Sequence, residues 1–100
     1  MDKKIHALFE RVTSTPFPKL GKVVGDFALY DSLLAGAVSS FLAGLRIDAE
    51  AVPVPDDETA AALPALEQKG THSAEEMQFL NCARLLGELR EETIKAIRRG

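Results

Sequence analysis

The stretch Ser73-Ala74-Glu75-Glu76-Met77-Gln78-Phe79-Leu80-Asn81-Cys82-Ala83 carries the strongest local signal in the chain. A serine followed three residues later by glutamate suits a reciprocal capping box, in which the hydroxyl accepts from the amide of the third helical residue and the carboxylate accepts from the serine amide. A helix is therefore expected to start at Ser73. Further along, Phe79, Cys82, Ala83, Leu86, Leu89, Thr93 and Ile97 fall on one helical face. Asn81, Arg84, Glu88, Glu91, Glu92, Lys95 and Arg99 fall opposite, so this helix lies on the surface with one side buried. Its apolar stripe needs partners, and the upstream segments supply them.

Ile5, Leu8, Phe9 and Val12 recur at the spacing of an amphipathic helix, predicted over residues 3–13 with Asp2 available as its N-cap. Thr13-Ser14-Thr15-Pro16-Phe17-Pro18 stops it, because each proline pushes the preceding residue out of the helical region and lacks an amide donor. Phe17 is the expected core anchor of that loop. A second helical region starts between Lys19 and Asp26 and runs to about Gly44. Gly21 and Gly25 weaken an early start, while Asp26 suits the cap of a helix beginning at Phe27. Along it Phe27, Tyr30, Leu34, Val38, Phe41 and Leu45 make a bulky face, and Ala28, Ser32, Ala35, Ser39 and Ala43 make a second face of small residues. A helix apolar on nearly every side is central in its domain or covered by a partner subunit. The small stripe would let another backbone approach closely.

Residues 46–56 differ in kind: Ala51-Val52-Pro53-Val54-Pro55 cannot propagate a helix and should cross the surface as an extended connector. Asp56 or Asp57 is then placed to cap a short helix near residues 57–69. Pro64 allows either a kink or a fresh start with proline in the first turn, and Gly70 ends the segment. No stretch alternates apolar and polar residues as a strand would. The expected fold is all-α: a compact bundle of about four helices, with a hydrophobic central helix at about residues 22–44, in one domain over residues 1–100.

Apolar residues make up 46% of the 100 residues and charged residues 27%, an ordinary globular balance far from that of disordered chains. Twelve Lys+Arg against fifteen Asp+Glu leave a net charge of −3, which disfavours a broad nucleic-acid-binding surface. A local patch of Lys3, Lys4, Lys19 and Lys22 is the feature that keeps a regulator of nucleic-acid-associated machinery open as an alternative. The single cysteine, Cys82, cannot form an intramolecular disulfide and fits a reducing, cytoplasmic setting. His6, Glu10 and Arg11 interrupt any signal-like apolar run near the start. The uncharged run Ser32–Leu45 is 14 residues long, against roughly 20 needed to cross a bilayer, so no membrane partner is expected.

Catalytic and cofactor motifs are not found. His6 with Glu10 reads as a solvated one-turn pair, two histidines and one cysteine do not complete the usual zinc sets, and Gly21 and Gly25 lack the rest of a phosphate-binding loop. Cys82 sits among apolar neighbours that predict an inert, buried thiol. No metal, cofactor or small-molecule substrate is inferred. Asp31 is the most unusual residue, since a continuous helix turns it towards the bulky face. It would cap a helix starting at Ser32, reach water from the edge of the stripe, or form a buried charge pair, for which Arg90 is the partner at hand; Arg90 equally suits snorkelling. The basic end, Lys95 to Arg99, complements the helix dipole. The leading expectation is a non-enzymatic interaction or oligomerisation module, a homodimer or a partner of another protein, with Ala28, Ser32, Ala35, Ser39 and Ala43 as its interface. An apolar-ligand carrier or an enzyme with Asp31 in its pocket is a further alternative.

Overall fold

The computed structural model describes residues 3–15, 22–55 and 57–99, without the side chains of residues 22–26 and 58. Among these are four α-helices and no strand: α1 (Lys3–Ser14), α2 (Lys22–Leu42), α3 (Asp57–Glu67) and α4 (Ala74–Arg99), with a 3-10 turn at Ala49–Ala51 between α2 and α3. The expected all-α bundle is present. Asp2 and Phe17, expected as cap and anchor, lie outside the described residues.

α4 starts where its capping box places it. The Glu76 amide donates to Ser73 Oγ at 3.1 Å, and the Ser73 amide donates to Glu76 Oε1 at 2.9 Å. Lys69 Nζ holds the same carboxylate at 2.9 Å. These bonds to its charged form bring the Glu76 pKa down from 4.5 to about 2. Twenty-six residues at helical rise span about 39 Å, close to the 42 Å long dimension of the molecule. α4 touches all three other helices and the 3-10 turn, and α2 touches the other three helices.

The core forms where their apolar stripes meet. Ile5, Leu8 and Val12 of α1 and Phe27, Tyr30, Leu34 and Val38 of α2 pack with the α4 stripe. At the centre the rings of Phe27 and Phe79 meet edge to face, 5.0 Å apart. Each is 1% exposed, so Phe79→Ala should cost about 3–5 kcal/mol, more than any single cap contributes. Cys82 and Thr93 are buried on the same stripe, as its spacing requires.

Helix ends explain where the wheel pattern stops. At the end of α1, Thr13, Ser14 and Thr15 each donate a hydroxyl to the carbonyl four residues back. α2 closes in a Schellman motif: the Gly44 amide donates to Phe41 O at 3.0 Å and the Leu45 amide to Ser40 O at 3.1 Å, with Gly44 at φ +91°. The chain leaves the helix axis there. Leu45, expected on the bulky face, is instead 61% exposed.

The connector is pinned at three points. Asp48 caps the 3-10 turn by accepting from the Glu50 amide, Val52 enters the core, and Arg90 Nε donates to Pro53 O at 2.9 Å. α3 runs through Pro64 without a fresh start, and its first helical residue is Asp57, which puts the cap position at residue 56, outside the described set. Beyond α3, His72 Nε2 donates to Leu66 O at 2.6 Å. Among the described residues no helix is long and apolar enough to cross a membrane.

Ser73→Ala is expected to lower stability by about 0.5–2 kcal/mol in urea denaturation. Because the Glu76 pKa is depressed on folding, its contribution is present above 4.5 and lost as pH falls towards about 2. The urea midpoints of wild type and Glu76→Gln should therefore differ at neutral pH and converge across that window; a constant difference would remove the capping role of the carboxylate.

Candidate functional site

α2 buries one side and leaves the other bare. Phe27, Tyr30, Leu34 and Val38 are in the core, and on the opposite side Leu29 is 63% and Leu33 55% exposed. Around these two leucines, Ala28, Ser32, Gly36, Ser39 and Ala43 are exposed and Ala35 is half-buried. Four of the five small residues singled out from the sequence thus lie on open surface, and the fifth borders it. Leu29 and Leu33 were not singled out; their spacing of four residues, off the bulky face, was the available signal. A Cβ added at Gly36 would meet nothing within 4 Å. The chain's own packing therefore does not require glycine there.

The expected Asp31–Arg90 pair does not form. Arg90 directs its guanidinium Nε to Pro53 O, while Asp31 Oδ1 is buried with no hydrogen-bond partner among the described residues. Asp31 lies within α2, so it does not cap a helix starting at Ser32. Burial raises its pKa, and its charge in turn helps burial to raise that of the Cys82 thiol.

A cleft of about 820 Å³ lies between the connector and α4. Phe27 and Tyr30 line it from α2, Val52, Val54 and Pro55 from the connector, and Gly87, Arg90, Ile94 and Arg98 from α4. Asp31 does not line it. Burial raises the Tyr30 pKa, an effect that the nearby Arg90 charge partly offsets, so the hydroxyl keeps its proton at neutral pH.

Half of the lysine patch lies outside what the structure describes. Lys4 Nζ pairs with Glu92 Oε1 at 3.1 Å, Lys19 lies outside the described set, and the Lys22 side chain is not described. His6 is exposed on α1. Among the described residues no three His, Cys, Asp or Glu side chains come together as a metal-binding group.

Among the described residues, room for a partner is offered by the outward face of α2, by the cleft beside the connector and by a second cleft of about 610 Å³ between α3 and the start of α4. Comparison with known protein families, characterised proteins and solved structures finds no match to this chain.

A carboxyl group whose pKa is raised by folding stabilises the protein most below its unfolded value, and that benefit is lost as pH rises through the folded value. Asp31→Asn should therefore raise the urea midpoint at neutral pH, with the gain shrinking as the solution is acidified. A lower midpoint at neutral pH would mean that the carboxylate is paired and stabilising.

Proposed function

We propose that this chain is a non-enzymatic interaction module that forms a reversible homodimer through the outward face of α2, in a reducing, cytoplasmic setting. The observation that carries this reading is the pair of exposed leucines, Leu29 and Leu33, set among small residues on the most apolar helix of the fold. Large apolar side chains on adjacent turns favour removal from water, by about 25 cal/mol for each Å² covered. A two-fold interface brings a surface against itself, so it must carry no like charges that oppose one another. From Phe27 to Leu45 the one charged residue is Asp31, which lies towards the core side with Oδ1 buried, so the part of the face that carries Leu29 and Leu33 meets that condition.

The size of the face sets the expected strength. A helix of 21 residues is about 30 Å long and about 10 Å wide, giving roughly 300 Å² per copy. Two copies would together bury about 600 Å², below the roughly 1,200 Å² at which stable specific interfaces begin, so a weak, concentration-dependent dimer is expected rather than an obligate one. Gly36, near the midpoint of the exposed strip, would allow two helices to cross closely.

Sedimentation across a dilution series tests this reading. The wild type should shift from monomer to dimer with concentration, and Leu33→Glu should remain monomeric with its helical circular dichroism intact. Gly36→Ala adds a second criterion. It should raise the stability of the monomer by about 1 kcal/mol through helix propensity while weakening association. A wild type that stays monomeric at its highest soluble concentration contradicts the homodimer.

A further inference from the structure

We propose that the cleft between the connector and α4 binds an anionic amphiphile, a medium-chain monocarboxylate whose tail lies on the apolar wall and whose carboxylate meets Arg90 and Tyr30. Its volume, about 820 Å³, falls within the range of roughly 300–1,000 Å³ typical of small-molecule sites. Apolar and polar surface share the lining about equally, the apolar part formed by Phe27 and Val52 at its core side and by Val54, Leu63 and Ile94 further out.

Gly87 is the most informative residue of the lining. Glycine in the middle of a helix destabilises it relative to alanine, so its presence calls for a reason. Close packing is not that reason, because a Cβ at this position would meet nothing within 4 Å. What glycine does here is widen the cleft along α4, where a longer side chain would stand in the path of a bound tail.

Charge selects the other end of the ligand. Among the described residues the lining carries Arg90, Lys95 and Arg98 against Glu50 and Glu91, a positive balance on a chain whose net charge is −3. Lys95 lies 3.7 Å from Glu91 and 3.8 Å from Glu92, so it is largely compensated. Arg90 commits its Nε to Pro53 O, which fixes the guanidinium and leaves its terminal N–H groups to donate. The Tyr30 hydroxyl, on the same wall, retains its proton and supplies another donor. A planar guanidinium with a neighbouring phenol suits a carboxylate, whereas a cationic headgroup would meet net repulsion.

Calorimetric titration with decanoate at a protein concentration below that of any self-association tests the proposal. Wild type should bind one decanoate saturably, and decyltrimethylammonium, with the same tail and opposite charge, should bind at least tenfold more weakly. Gly87→Leu, which fills the cleft from a position that touches no neighbour, should weaken decanoate binding at least tenfold while circular dichroism stays helical. Val54→Glu, on an exposed connector position, should do the same by adding a negative charge to the lining, and it decides the matter should Gly87→Leu fail to fold. Absence of saturable decanoate binding, equal affinity for the cation, or a folded Gly87→Leu with unchanged affinity each overturns the proposal.

Discussion

The uninterrupted apolar stripe of α4, running from Phe79 through Leu86 and Leu89 to Thr93, is the surface on which every other element rests. Its register is set at one end by the Ser73–Glu76 capping box, since a shift of one residue would rotate the stripe by about 100° and strand its partners. α1 and α2 contribute complementary stripes, and the short α3 and the connector close over the remaining edge. Helices joined by short links can satisfy one long stripe in this way, but they need not cover both sides of a second apolar helix. α2 is that second helix.

The outward face of α2 and the connector cleft follow from the same shortage of covering elements. α2 gives its aromatic and branched residues to α4 and leaves Leu29 and Leu33 on the other side. The connector, pinned by Val52 in the core and by the bond from Arg90 to Pro53 O, spans α4 without filling the space above Gly87. In both places a helical glycine stands where no neighbour requires one. Homodimerisation would cover the first, and an amphiphilic ligand would fill the second.

Local signals were legible in the sequence, and long-range ones were not. The capping box, the α4 stripe and the α1 stripe depend on residues within a few turns of each other, and the structure places them as the spacing requires. Leu45 departed from its wheel position because the Schellman turn at Gly44 ends α2 first, a matter of backbone geometry rather than hydrophobic period. The sequence offers Arg90 as a partner for Asp31. Its acceptor is a connector carbonyl 37 residues away in sequence, and no pattern within α4 announces it. On α2 the small residues were recognised as a packable face, but nearly all-round apolarity hid which side the chain itself would bury. That depended on where α4 lay.

The claim that α2 is covered by a second copy is tested most directly by a distance between two copies. A nitroxide attached at Ser39→Cys, with Cys82→Ala removing the buried thiol, lies at the margin of the exposed face and reports its own twin by pulsed electron resonance. Helices that cross in contact have axes about 8–10 Å apart, so label pairs within about 25 Å are expected at concentrations where the dimer forms, disappearing on dilution. A label at Glu88, on the exposed side of α4, should give only longer separations. Short distances from Glu88 but not from Ser39, or none from either at any concentration, would contradict the account.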